Sequence, residues 1–338
     1  MSKKILAAAA GFLCSAVAVF AYDPPAGAEY MFRLVSPDML SQAGSSAGGG
    51  FFTTAPDSIT INPALTAGDQ RIGLDAGYTA LFSTSGGFSL GGAGQLGLLV
   101  PTRWGVFSGV LQGISADFEP LKLYNTVALR TGFAKDITDN LYAGAALNGS
   151  VNWGDGVHWG LGLDVGVWYR LGALGFLRDT RIGFSLANMG KPLVWGMPGI
   201  FTPRMGIAAT LFSVKNLKGA FSADLSAPQF SNLVFDAGLQ LQFSDMVTLK
   251  TGWQFNLKEV IAENYNLLPS VGVSVKFGIN TTDNRFMAEN GWQQSDLITS
   301  GAWQQLYGGV QAVSAAASLR LGLTDTEAPV IVLWGDEE

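Results

Sequence analysis

The chain has 338 residues, of which 48% are hydrophobic and 14% charged, with 44 glycines, one cysteine, one histidine and a net charge of −6. An average soluble domain is about a quarter charged, and glycine is a poor helix former, so this chain is apolar without being helix-like. Its acidity argues against a nucleic-acid partner. One histidine and one cysteine leave little beyond carboxylates to hold a metal, so neither a metal nor another cofactor is expected.

Residues 1–21 read as a signal peptide. Lys3 and Lys4 precede an apolar run from Ile5 to Phe20, and Val19-Phe20-Ala21 carries small residues where a peptidase would cut. The run is short for a membrane anchor. Cys14 lies late in it, but Leu13 is large where a lipidation signal wants a small residue. Cleavage after Ala21 removes Cys14 and both lysines, taking the net charge from −6 to −8. No later apolar run reaches the length of a helical span.

Residues 22–69 do not alternate. They hold Gly48-Gly49-Gly50 and large apolar side chains, among them Phe51 and Phe52. A disordered tail seldom carries so many, and a plug would bury them. The glycine run does not lie between a strand and a helix, so it is no phosphate loop.

From residue 70 the pattern changes to period two. In 158–170, Trp159, Leu161, Leu163, Val165, Val167 and Tyr169 alternate with His158, Gly160, Gly162, Asp164, Gly166 and Arg170, and Trp168 is the one large residue on the second face. The expected strands are 71–82, 87–100, 104–115, 123–134, 140–153, 158–170, 180–188, 203–213, 218–226, 232–243, 246–256, 268–279, 285–293 and 307–323. Several run to ten or more residues, the length of a tilted membrane strand. Stretches 116–122, 171–179, 189–202, 257–267 and 294–306 read as long loops.

Backbone groups in hydrocarbon must all be paired, so such strands must close into a barrel. The expected fold is an all-β transmembrane antiparallel barrel of about 14 strands over residues 70–323, plugged by 22–69. Residues 324–338 form an acidic periplasmic tail. The greasy face sees lipid and the small face sees a lumen. Arg130, Asp164, Arg170, Asp236 and Lys250 fall on the lumen face, with Asp75, Asp224, Lys276 and Arg320, where they brace or solvate the interior.

Ala55-Pro56-Asp57-Ser58, followed by Ile61-Asn62-Pro63-Ala64, resembles the hatch motif of the FadL family of outer-membrane transporters of long-chain fatty acids and other hydrophobic compounds. Position 65 is leucine where that family usually has glycine. The resemblance implies a hatch shaped by Asp57, Ser58, Asn62, Pro63 and Ala64, a 14-strand barrel and an apolar ligand. It also implies exit through the hatch or sideways through a gap in the wall. Gly86-Gly87 with Gly91-Gly92, or Pro203, are candidate sites for the gap, because glycine and proline weaken strand pairing.

The expected function is therefore passive outer-membrane uptake of hydrophobic small molecules by a monomer whose other contact is membrane lipid. A general porin, or a barrel of the same fold that holds secreted partners, are the alternatives. An enzyme is the weakest reading. His158 is the only histidine, placed at a strand end, and no catalytic serine–histidine pair can be assembled around it.

Overall fold

The computed structural model describes residues 33–41, 44–51, 54–83, 88–118, 121–154, 156–193, 200–263, 266, 268–280 and 294–322. The signal peptide, Phe52, Gly86-Gly87 and the tail lie outside the described residues.

Fourteen antiparallel strands close into a barrel in which each pairs with its sequence neighbours and β1 pairs with β14. The strands are β1 Ile72–Ser83, β2 Ser89–Thr102, β3 Gly105–Phe118, β4 Leu121–Thr138, β5 Leu141–Gly154, β6 Gly156–Leu174 and β7 Leu177–Lys191. They continue with β8 Thr202–Val214, β9 Leu217–Ser226, β10 Val234–Phe243, β11 Val247–Asn256, β12 Ser270–Asn280, β13 Gln294–Gln305 and β14 Gln311–Leu321. The rim that holds the start of β1 and the end of β14 is called the near rim here, and the opposite one the far rim. Among the described residues no helix is long and apolar enough to cross a membrane.

The two faces divide as the alternation requires. On β6, Trp159, Leu161, Leu163 and Val167 are exposed, whereas Gly160, Gly162, Asp164, Gly166 and Trp168 are buried. The same holds around the wall: Leu74, Leu96, Leu129, Leu147, Phe184, Leu239 and Trp253 all face outward. An apolar belt this continuous is stable only against hydrocarbon.

Three expectations need correction. The thirteenth strand is Gln294–Gln305, the stretch read as a loop, and 285–293 lies outside the described residues. On β13 only Leu297 and Trp303 are large outward residues, with Thr299 and Gly301 between them, so the alternation is faint. The stretch 171–179 is no loop either. β6 runs on to Leu174 and β7 starts at Leu177, leaving a two-residue turn. Likewise most of 116–122 belongs to β3 and β4. Consecutive small and apolar residues in 171–177 broke the period-two pattern without breaking the strand.

Of the residues suspected of opening the wall, those described are paired on at least one side. Gly91 and Gly92 sit in the β1–β2 ladder opposite Leu81 and Ala80, and Pro203 sits opposite Leu186. The shortest ladder among the described residues is β11–β12, with six residue pairs from Val247↔Val275 to Gly252↔Ser270. Among the described residues, Trp253 to Asn256 pair with β10 but not with β12. A short helix, α1, Leu257–Ile261, follows them; it is capped by Asn256, whose side chain accepts from Lys258 N and Glu259 N.

Candidate functional site: the filled lumen

The described residues between 33 and 69 lie in the lumen, and the inner wall is shaped to receive them. A helical turn, Pro37–Leu40, is capped by the Ser36 hydroxyl. Two 3-10 turns follow, Pro56–Thr60 and Pro63–Gly68, each with proline at its first position. Proline there costs no hydrogen bond and presets φ. This run of short turns has no period of its own, which is why it looked patternless.

Asn62 joins the segment to itself and to the wall. It is fully buried. Its Oδ1 accepts from Ala64 N at 3.1 Å, starting the second 3-10 turn. Its Nδ2 donates to Ser46 O at 2.7 Å and to Val167 O on β6 at 3.0 Å. One side chain thus ties two parts of the segment to each other and to the wall. Pro63 and Ala64 then lie against the inner face of Gly144. Ala64 O accepts from Trp168 Nε1 at 2.9 Å, and Trp168 stacks on Tyr142 with ring centres 3.9 Å apart. Leu65, buried, packs with Ala67, Ala134, Tyr142 and Trp168, so this turn has no need of the glycine common at that position. Trp168 interrupted the small-residue face because it anchors the segment.

Glycine at two inner-wall positions leaves room for the segment. A Cβ at Gly183 would lie 1.9 Å from Ser46 O, and one at Gly166 would lie 1.9 Å from Asn62 Oδ1. Real Cβ atoms never come that close, so these two positions must be glycine while the segment is docked.

The charged residues of the lumen face brace this arrangement. Asp236 pairs with Arg33 at 2.9 Å, and Lys250 pairs with Asp38. Asp224 accepts from Ser46 N at 2.9 Å and from Ser46 Oγ at 2.8 Å. Arg181, missed in the sequence, donates to Gly49 O and Gly50 O at 3.0 and 2.7 Å. Arg130 and Asp164 instead join β4 to β6 at 3.0 Å, and Asn188 bonds to both. Arg170 lies over the rings of Tyr142 and Trp168 near the rim. Phe51 is only half-buried; its N–H donates to Gln240 Oε1 at 2.8 Å, and it borders the near-rim cavity rather than packing into an apolar cluster.

Asp57 and Ser58 act differently from each other. Ser58 Oγ accepts from Ala55 N at 3.2 Å and shapes the turn. Asp57 Oδ2 accepts from Ser36 Oγ at 2.6 Å and from Gln95 Nε2 at 3.3 Å, and the same Nε2 reaches Asp75 Oδ2 at 2.6 Å. Two buried carboxylates therefore flank one amide. Burial raises the Asp57 pKa, and Asp38 adds to this, against the opposing pull of Ser36, Gln95 and Lys250. A raised carboxyl favours the docked segment fully below the ordinary carboxylate range, and that contribution is lost as pH climbs through the docked value. Docking is expected to loosen with rising pH, and Asp57→Asn to flatten the dependence. Protease protection of residues 33–69 across a pH series measures both.

The lumen is unequal along its axis. At the far rim an apolar cluster closes it: Leu34 and Val35 of the segment pack with Leu81, Ile114, Phe118 and Leu306. Toward the near rim lies a cavity of about 530 Å³, lined by Asp38, Asp57, Asp75, Lys250, Lys276 and Arg320 among others, and reaching the exposed turn residues Asp245 and Met246.

No protein-family model and no curated protein matches the sequence. Solved structures do. The toluene transporter TodX of Pseudomonas putida aligns with a TM-score of 0.50 and 12% identity over 90% of this chain and 100% of its own. A TodX deltaS2S3 mutant, a monoaromatic hydrocarbon channel, aligns with a TM-score of 0.51 and 12% identity over 88% and 99%. A Pseudomonas aeruginosa FadL homologue aligns with a TM-score of 0.45 and 12% identity over 83% and 96%. The chain thus shares the barrel fold of TodX.

Proposed function

We propose that the protein takes up hydrophobic small molecules across the outer membrane by passive diffusion, with residues 33–69 as a hatch that denies water and ions a path. The observation that carries this reading is the unequal lumen. An apolar solute arriving at the far rim meets an apolar cluster, and beyond the hatch it faces a charged cavity that it cannot enter cheaply. A sideways exit into lipid avoids that cavity.

The β11–β12 seam supplies the exit in this reading. The β11 residues without a described β12 partner, Trp253 to Asn256, lie toward the far rim, on the same side as the apolar cluster. Trp253 and Phe255 face outward, toward acyl chains. A disulfide engineered across the seam between Gln254→Cys and Leu268→Cys should cut uptake of an apolar dye several-fold and recover on reduction. Uptake unchanged by the closed disulfide would remove the seam from the account.

The porin alternative needs an open lumen, and residues 33–69 occupy it. It predicts steady ion currents through the wild-type protein, whereas the uptake reading predicts none.

A further inference from the structure

Directly beneath the far-rim apolar cluster the inner wall turns polar. Ala93 on β2 and Ile114 on β3 belong to that cluster. At the next inward position toward the near rim, the same strands carry Gln95 and Gln112, which stand opposite each other in the β2–β3 ladder. Side chains so paired have Cβ atoms about 5 Å apart. Both are buried, at 4% and 2% exposure. Two small residues flank the pair, Gly77 on β1 and Ala128 on β4.

The two amides are not used alike. Gln95 Nε2 donates to Asp57 Oδ2 and Asp75 Oδ2 at 3.3 and 2.6 Å. These bonds fix the amide and leave its Oε1 as an acceptor without a partner among the described residues. Gln112 has no such partner at either Nε2 or Oε1. Val110 and Ile114, its neighbours along the inner face of β3, are apolar and supply none. A buried amide left wholly unsatisfied is costly, so it persists where something other than the wall completes its bonds.

We infer that Gln112 and Gln95 hold the hydroxyl of a solute whose apolar body lies in the cluster above, so that alcohols or phenols are preferred to plain hydrocarbons. The inference rests on the uptake reading, in which solutes arrive at the far rim, and names their class. A hydroxyl donates one bond and accepts others. It can donate to Gln95 Oε1, the fixed acceptor, and accept from Gln112 Nε2. An ether or ester can accept but has no hydrogen for Gln95, and a hydrocarbon can do neither. A carboxylate also lacks that hydrogen, and Asp57 and Asp75 behind the Gln95 amide disfavour a further negative charge.

The test measures binding to the purified wild-type protein and to Gln112→Met, which keeps the side chain's length and breaks none of the hydrogen bonds that seat the hatch. Each protein, in the same detergent, is equilibrated with equal amounts of nonylphenol and its methyl ether, nonylanisole, and the retained molecules are counted by mass spectrometry. The wild type should favour the phenol about tenfold more than Gln112→Met does, the size of one buried hydrogen bond. Fully ionised decanoate should not displace the phenol. Should the variant not fold, the wild-type ratio set against that of protein-free micelles gives the same answer. Equal ratios in the two proteins, the amide then serving water alone, would overturn the inference, and so would displacement by decanoate. Dye entry into cells tests uptake separately. Selective retention by a protein that admits no dye would keep this site and remove the transport, and dye entry without selective retention would do the reverse.

Discussion

Gly183→Ala should open the barrel to ions. The new methyl would stand 1.9 Å from the Ser46 carbonyl, a backbone atom that no rotamer change can move aside. Either β7 bulges outward or the segment leaves its seat. Around Gly183 the wall is held by unbroken pairing of Arg181 to Leu186 with both β6 and β8, whereas the segment is a series of single turns. The segment should therefore give way. Ser46 would lose its bonds to Asp224, and the Arg181 contacts to Gly49 and Gly50 would go with them. In planar bilayers the wild-type protein should stay silent and the variant should carry steady currents. The variant barrel should still resist unfolding in detergent, which separates an emptied lumen from a misfolded wall.

Asn62→Ala should give the second largest effect, by another route. It adds no bulk but breaks three hydrogen bonds at once, two of them buried, leaving Ser46 O and Ala64 N without this partner. Buried polar groups left unsatisfied cost roughly 1–3 kcal/mol each, so docking should weaken by about 3 kcal/mol. A segment that was seated nearly all the time would then open measurably often. The expected record is brief, flickering currents rather than the steady ones of Gly183→Ala, with faster protease cleavage within residues 33–69. Asn62→Asp should be as damaging, because it keeps the cap to Ala64 but loses both donated bonds.

Much of the barrel was legible because a membrane wall obeys one rule along its whole length. Each outward position must satisfy lipid, so period two persists through strands such as β6 and β10. It failed where that demand relaxes. β13 mixes Thr299 and Gly301 into its outward face, and the β6–β7 hairpin runs through consecutive small and apolar residues from 171 to 177. The segment in the lumen obeys no period, since each residue answers to its own neighbour on the wall. Asn62, Pro63 and Ala64 could be singled out by their resemblance to a motif. Arg181 could not, because an arginine facing carbonyls across 131 residues of sequence leaves no local trace. The inward glycines were visible as a small-residue face. Their meaning, a slot for a second chain segment, needed the partner in place.

The central claim is that greasy solutes pass where water and ions do not. Its most direct test is entry of N-phenyl-1-naphthylamine, an apolar dye that fluoresces in hydrocarbon, into the membranes of cells that differ only in making this protein. Faster entry in its presence, with no gain in permeability to a small hydrophilic sugar, is the predicted result. Sugar entry that rises while dye entry stays unchanged would contradict it.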